Sequence, residues 1–173
     1  MQIRPETLAD EPAIAAVLTA AFPTDLEAQL VTALRAAGRL TISLVAEVAG
    51  EVVGHLAFSP VTLVDNPQPR WLGLAPVAVA PPWQRQGIGR QLIQQGMAVA
   101  AQTAAVVVVL GERGYYGQFG FAEAALANLR DEYGGGAAFQ VREFTPGAIP
   151  PGGGLVRYAP EFSSLAPPSA GMA

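Results

Sequence analysis

The order of the predicted secondary-structure elements assigns the chain to the mixed α/β class, with a mixed sheet and helices on both of its sides. The hydrophobic pattern runs strand, two helices, hairpin, strand, helix, strand, short helix, strand. One apolar run, 105–110, lacks polar alternation, which is typical of a strand covered on both faces. The 173 residues, 51% of them hydrophobic with a mean hydropathy of +0.32, suit one domain with a full core.

Two helices are predicted after a short first strand. Thr7 and Asp10 have the spacing of a capping box at the start of the first helix, which ends at Pro23. Thr24 and Glu27 offer a second capping box for the next helix. The apolar residues that repeat at helical spacing are Ile14, Val17, Leu18 and Ala21 in the first helix and Leu26, Leu30 and Leu34 in the second.

The rest of the chain is predicted to alternate between strands and helices. Strands are predicted over residues 42–48, 51–58, 71–79, 105–110 and 139–144. Ala49-Gly50 joins the first two as a hairpin turn. A helix after the third strand has one face formed by Ile88, Leu92, Gly96 and Val99. We expect a single domain over residues 1–165 and a flexible tail over 166–173.

Composition excludes several classes of function. Fourteen acidic residues against ten arginines and no lysine give a net charge of −4, so nucleic-acid binding is not expected. The absence of cysteine excludes disulfides, thiolate metal sites and a cysteine nucleophile, and the single histidine, His55, leaves little material for a metal site. The N-terminus does not resemble a signal peptide, and the apolar runs are shorter than the roughly 20 residues of a membrane helix. We therefore expect a cytoplasmic protein without metal.

The segment 84–89, Gln-Arg-Gln-Gly-Ile-Gly, lies between a predicted strand and a predicted helix. Such a turn places free backbone N–H groups at a helix N-terminus, where the helix dipole also attracts anions. Gly87 and Gly89 let an anion approach the backbone, and Arg85 and Arg90 add positive charge. The segment is therefore predicted to bind a pyrophosphate.

Three other interpretations of this loop are less well supported by the sequence. A P-loop NTPase needs a lysine that this chain does not contain. A dinucleotide fingerprint needs a third glycine at the position of Leu92. A tight turn whose glycines serve packing alone is favoured less, because Gln84, Arg85 and the strand–helix context accompany the glycines.

Residues 76–89 resemble the acetyl-CoA motif of the GCN5-related N-acetyltransferase (GNAT) superfamily. Residues 115–121, Tyr-Tyr-Gly-Gln-Phe-Gly-Phe, resemble its aromatic-x-x-x-Gly-Phe segment. Together with residues 110–112 and 154–162, these two segments are most similar to the YhbS-like branch of the superfamily. The resemblance implies an acyl-CoA N-acyltransferase domain over 1–165. Its fold would be a mixed, mostly antiparallel sheet flanked by helices, with acetyl-CoA as cosubstrate and a possible homodimer.

The resemblance also implies which residues hold the cofactor. The backbone N–H groups of Val77 and Val79 would hold the pantetheine arm and polarise the thioester carbonyl. A bulge at Pro76 would separate its strand from the strand at 106–110 and open a slot, although an edge-strand proline is the alternative. The expected cofactor-binding set is Val77, Ala78, Val79, Gln84, Arg85, Gln86, Gly87, Ile88, Gly89 and Arg90.

Tyr116 stands where the superfamily carries its tyrosine general acid, five residues before Phe121. A phenol is protonated at neutral pH and can donate to a thiolate leaving group. Tyr115 is the less favoured candidate, and packing beneath the cofactor is the alternative for both. The general base stays open between His55, Glu112 and water. For His55 and Glu112 a structural role is favoured over a catalytic one, and for Glu27 helix capping is favoured. An asparagine common in the superfamily has no counterpart at 109–114.

The sequence therefore predicts an acetyl-CoA-dependent N-acetyltransferase that works by direct attack of a primary amine in a ternary complex. The absence of cysteine closes a route through a cysteine acyl-enzyme. The alternative is a non-catalytic acyl-CoA-binding sensor or scaffold, in which Tyr116 would have no role. The acceptor is a small molecule or a protein amine, and the acidic balance mildly favours a cationic or polyamine-like one.

Overall fold

The computed structural model describes residues 1–165, and the predicted tail at 166–173 lies outside the described residues. The strands are β1 Gln2–Pro5, β2 Ile42–Val48, β3 Glu51–Pro60, β4 Thr62–Leu63, β5 Trp71–Val79, β6 Val106–Leu110, β7 Ala122–Glu123, β8 Leu129–Asp131, β9 Phe139–Glu143 and β10 Gly154–Arg157. The α-helices are α1 Glu11–Ala21, α2 Leu26–Ala36, α3 Ile88–Thr103 and α4 Arg113–Gly117. Short 3-10 turns occupy Leu8–Asp10, Pro81–Trp83, Ala124–Ala127, Gly136–Ala138 and Pro160–Leu165.

The strands form two sheets. The main sheet has seven strands in the order β1-β2-β3-β5-β6-β9-β7, and a second sheet has the order β4-β10-β8. In the main sheet only β5 and β6 are parallel, and every other neighbouring pair is antiparallel. The predicted mixed, mostly antiparallel sheet is therefore confirmed.

Helices and the small sheet cover the two faces of the main sheet. On one face α3 packs over side chains such as Leu56, Phe58 and Val107. On the other face α1 and α2 pack together with the three-stranded sheet and the 3-10 turn Pro160–Leu165. Each face thus has its own apolar cluster, and the predicted arrangement of helices on both sides is confirmed.

The two predicted capping boxes have different outcomes. The backbone N–H of Thr7 donates to Oδ2 of Asp10 at 2.7 Å, so the first box is present, at the 3-10 turn immediately before α1. The second is wrong, because α2 begins at Leu26 with Asp25 as its N-cap. Glu27 is therefore at the second helical position rather than the third, from which a side chain reaches back to the N-cap.

The buried stripe of α3 differs from the predicted one at a single position. Ile88, Leu92 and Gly96 are buried as expected, but Val99 is 38% exposed. The stripe runs instead through Ile93, Met97 and Ala100, which face the sheet. A Cβ on Gly96 would lie 2.9 Å from both Leu56 Cδ2 and Phe58 Cε2, so the glycine allows α3 to approach β3 closely.

A bulge in β5 separates it from β6. Leu56 pairs with Val77 and Phe58 with Leu74, so β5 contains one more residue than β3 around Ala75-Pro76. The parallel pairing of β5 with β6 extends only from Trp71 to Gly73. Because β5 lies between β3 and β6, Pro76 is not in an edge strand, and the predicted bulge near Pro76 is confirmed. The space between the two strands beyond Gly73 is called the slot below.

Candidate active site

The loop at 84–89 joins the end of β5 to the start of α3. Gly87 is the N-cap of α3 with φ +83°, a conformation that side-chain-bearing residues rarely adopt, and no side chain caps this helix. The first N–H groups of α3 therefore have no intrahelical partner. A Cβ on Gly87 would meet nothing within 4 Å, so the space beside this N-cap residue is open. The local geometry is that of an anion-binding helix N-terminus.

Side-chain amides hold the loop against the strand end. Gln84 Nε2 donates to the carbonyl of Val79 at 2.9 Å, and Gln86 Nε2 donates to the carbonyl of Pro82 at 3.1 Å. These contacts position the loop at the open end of the slot. Gln86 therefore supports the loop from outside the cavity.

At the open end of the slot lies a cavity of about 420 Å³, which extends from the end of β5 to the first turn of α3 and to α4. Nine of the ten residues in the predicted cofactor-binding set line it, and Gln86 is the exception. Trp83 and Tyr115 also line it, although neither belongs to the predicted set. The proline-rich segment before the loop contains no pattern that predicts that the Trp83 side chain lines a cavity.

Tyr116 projects from α4 into the slot. Its ring packs edge-on against Phe121, with centroids 5.9 Å apart, and a Cβ on Gly111 would overlap it. Burial raises the pKa of Tyr116 to about 12, with a smaller contribution from Tyr115. The phenol is therefore protonated throughout the neutral range and can act as a proton donor.

Tyr115 lies nearer to the loop and to solvent. Its side chain is 36% exposed, and its ring meets that of Tyr116 edge-on with centroids 5.2 Å apart. A Cβ on Gly89 would lie 3.6 Å from the Tyr115 hydroxyl. Burial raises the pKa of Tyr115, while the positive charge of Arg90 lowers it. Tyr115 thus lies beside the first turn of α3, next to Gly89.

His55 is fully buried within a polar network on the face that α1 and α2 cover. Its Nε2 lies 2.8 Å from Ser43 Oγ and 3.5 Å from Glu6 Oε2, and Arg35 Nε donates to Glu6 at 2.9 Å. Burial lowers the pKa of His55. His55 is not among the residues that line the slot, and these contacts fit the structural role.

Glu112 is the N-cap of α4. Its Oε1 accepts a hydrogen bond from the backbone N–H of Gly114 at 3.0 Å. It is exposed and does not line the slot. Neither His55 nor Glu112 therefore faces the cavity. Of the three candidates for the general base, this leaves water.

Among residues 1–165 there is no helix long and apolar enough to cross a membrane. The same residues contain no group of three or more His, Asp or Glu side chains that could hold a metal ion.

Comparison with known sequences gives consistent results. The model of the Acetyltransferase (GNAT) family matches residues 9–121. The uncharacterized N-acetyltransferase YhbS of Escherichia coli strain K12 is 41% identical over 166 residues, which cover 94% of this chain and 99% of that protein. The uncharacterized N-acetyltransferase YjhQ of the same strain is 36% identical over 113 residues, which cover 63% of this chain and 62% of that protein.

Solved structures show the same similarity. The crystal structure of E. coli YhbS in complex with CoA has a TM-score of 0.88 and 40% identity, and the match covers 94% of this chain and 91% of that one. A GNAT family acetyltransferase from Brucella melitensis, in complex with acetyl-CoA, has a TM-score of 0.78 and 40% identity, with 93% and 97% coverage.

Proposed function

Because the chain belongs to the acetyltransferase (GNAT) family, we propose that it transfers the acetyl group of acetyl-CoA to a primary amine by direct attack in a ternary complex. The observation that carries this proposal is the slot between β5 and β6, which ends at the uncapped N-terminus of α3. A cavity open at an anion-binding turn suits a ligand with a pyrophosphate at one end and a narrow arm at the other.

In this proposal the pyrophosphate lies on the loop at 84–89, with Arg85 and Arg90 beside it. The pantetheine arm follows β5 through the slot and accepts hydrogen bonds from backbone N–H groups of Val77 and Val79. The CoA and acetyl-CoA complexes of the two similar proteins support this assignment. The edge of β5 that faces the slot has no β6 partner beyond Gly73, so its peptide groups are available to a ligand.

The reaction needs few protein groups. The N–H of Val77 polarises the thioester carbonyl, and the neutral amine nitrogen attacks the carbonyl carbon. The tetrahedral intermediate collapses as its C–S bond breaks, and the new amide nitrogen loses its extra proton to water. Tyr116 donates its phenolic proton to the departing thiolate and is reprotonated from solvent. This use of Tyr116 is supported by its place at the cavity and by its being protonated at neutral pH.

An amine panel tests the function. Purified protein with acetyl-CoA is incubated with small amines, amino acid derivatives and peptides, while free CoA is measured and products are identified by mass. We expect an increase of 42 Da, about one acetyl group, on at least one amine. Binding of acetyl-CoA without any acetylated product would instead favour the non-catalytic binding module. A cytoplasmic location and a homodimer stay predictions, and light scattering tests the second.

A further inference from the structure

A second cavity lies on the α3 side of the main sheet, beyond the end of α4. Its volume is about 430 Å³, which is within the range of about 300–1,000 Å³ for small-molecule sites. Its walls come from the middle and C-terminal part of α3, from the segment that follows α4 and from the end of β9. It shares no lining residue with the cavity at the slot. We call it the Arg142 cavity.

Most of the wall of the Arg142 cavity is apolar. Ala98 and Ala101 are exposed residues of α3, and their short side chains leave room that a longer one would fill. Met97 and the rings of Phe119 and Phe144 complete this surface. The cavity can therefore receive the apolar part of a ligand, and its two phenyl rings suit an aromatic one.

Arg142 brings a positive charge to this apolar surface. Its Nη1 donates to the carbonyl of Phe119 at 2.6 Å, and its Cζ lies 4.7 Å from the centroid of the Phe144 ring. A Cβ on Gly120 would lie 3.3 Å from both Cζ and Nε of Arg142, so this glycine, with φ +81°, gives the guanidinium room beside the backbone.

No carboxylate neutralises this charge within the described part of the chain. None of the residues that line the cavity is acidic, and Arg142 forms no ion pair among residues 1–165. A guanidinium has five N–H donors in a planar fork, and the carbonyl of Phe119 uses one nitrogen. Donors are therefore left for an anion that enters the cavity.

The combination of one arginine and apolar walls selects a class of ligand. A carboxylate matches the fork of a guanidinium and carries a single charge, as the arginine does, and its organic part can cover the phenyl rings. We propose that the Arg142 cavity is a second ligand site, separate from the slot, and that it binds a small carboxylic acid with an aromatic body, as the carboxylate. This inference goes beyond the proposed acetyl transfer and does not depend on it.

Phe119 lies between the two cavities. It lines the Arg142 cavity, and its ring packs edge-on against that of Tyr115, with centroids 5.5 Å apart, and lies 6.4 Å from that of Tyr116. Both tyrosines line the cavity at the slot. A ligand of the Arg142 cavity would thus contact Phe119 without occupying the slot, so we expect it to bind in the presence of CoA.

The test compares 3-phenylpropionate with 3-phenylpropionamide, a neutral molecule of nearly the same shape, in titrations followed by NMR. We expect the carboxylate to bind with a Kd in about the millimolar range, as is usual for a ligand of this size. The amide should bind at least about tenfold more weakly, because it lacks the charge-assisted hydrogen bonds to Arg142. Equal affinity for the two probes, or no binding of the carboxylate at about 10 mM, would overturn the inference.

Three variants locate the site. Arg142→Gln should weaken binding of 3-phenylpropionate at least about tenfold and remove the preference for the carboxylate. Ala101→Leu keeps the charge but fills the cavity, so it should weaken binding of both probes, and it carries the test if Arg142→Gln does not fold. Arg130→Gln is the matched control, because Arg130 is exposed and does not line the cavity, and it should change neither affinity.

Saturation with CoA separates this site from the slot. We expect 3-phenylpropionate to bind the complex of the protein with CoA, and Arg142→Gln to bind acetyl-CoA as the unchanged protein does. If CoA displaces the carboxylate, or if Arg142→Gln weakens binding of acetyl-CoA, the cavity is part of the cofactor site and the inference is wrong. Failure of the carboxylate to bind leaves the acetyl transfer standing, because the amine panel measures that function independently.

Discussion

Tyr116 and Tyr115 are adjacent in sequence but lie at different depths in the slot. Tyr116 packs against Phe121 over Gly111, whereas the hydroxyl of Tyr115 faces Gly89 at the loop. The two rings meet edge-on, and Tyr116 is the more deeply buried of the two. This difference supports the choice of Tyr116 as the proton donor.

Replacement of Tyr116 by phenylalanine tests that role. We expect kcat to fall by about 100-fold, because the thiolate leaves without a proton donor, while the Kd for acetyl-CoA is unchanged. Tyr115→Phe is the matched control and should keep kcat within about threefold. A Tyr116→Phe variant with normal turnover at neutral pH would exclude the general-acid role.

A second prediction at the scale of residues concerns the titration of His55, the only histidine in the chain. Burial lowers its pKa in the folded state, so the unfolded chain binds a proton more readily near its ordinary value of about 6.5. The contribution of His55 to the free energy of unfolding is therefore fully present above that pH and is lost as the pH falls below it. We expect the Tm to decrease between about pH 7.5 and pH 5.5.

The matched variant is His55→Gln, which cannot titrate. It should be less stable at neutral pH, yet its Tm should change little over the same range. Glu6 does not add to this effect: burial raises its pKa, but hydrogen bonds from His55, Arg35 and Ser43 together lower it to about 2. Its contribution is lost only as the pH falls below its ordinary value of about 4.5 toward 2. An equal loss of Tm in the variant would show that His55 is not the titrating group.

At the scale of elements, Gly96 sets the distance between α3 and the sheet. Gly96→Val should lower the free energy of unfolding by about 1–3 kcal/mol, because the added side chain would overlap Leu56 and Phe58. Urea unfolding measures the change. Gly117→Ala is the control: a Cβ there meets nothing within 4 Å, and we expect a change within about 0.5 kcal/mol. Equal free energies of unfolding for Gly96→Val and the unchanged protein would show that Leu56 and Phe58 leave room for a side chain at position 96.

The longer elements could be predicted from the sequence because their periodicity is strong. The predicted strands at 42–48, 51–58, 71–79, 105–110 and 139–144 correspond to β2, β3, β5, β6 and β9. The two- to four-residue strands β4, β7, β8 and β10 were not predicted from periodicity, because so few residues show no alternation and tertiary pairing decides them. Glu27 was misread for a related reason: the helix starts one residue later than its capping pattern indicates.

The site was predicted less completely than the fold. The loop at 84–89 carries its signal in contiguous residues, and the structure places nine of the ten expected cofactor-binding positions around one cavity. The small sheet was not predicted, because its strands β8 and β10 lie about 25 positions apart and only their pairing joins them. No local pattern in the sequence marks Tyr158 as a neighbour of Gly73 in β5.

At the scale of the whole molecule, the bulge in β5 determines where the main sheet is interrupted. It ends the pairing of β5 with β6 at Gly73 and leaves the peptide groups of β5 beyond that residue without a β6 partner. In the proposed function this free edge holds the pantetheine arm of acetyl-CoA, and an amine that attacks the thioester there forms a ternary complex.

The central claim is that the loop and slot bind acetyl-CoA, and isothermal titration calorimetry tests it most directly. We expect the protein to bind acetyl-CoA, and Gly89→Glu to lower the affinity at least about 100-fold, because a carboxylate would occupy the anion site. Gly89→Ala should still bind, since its Cβ would lie 3.6 Å from the Tyr115 hydroxyl and 3.7 Å from Val79 Cγ2, which are ordinary contact distances. No heat at millimolar acetyl-CoA, or equal affinity in Gly89→Glu and the unchanged protein, would contradict the account.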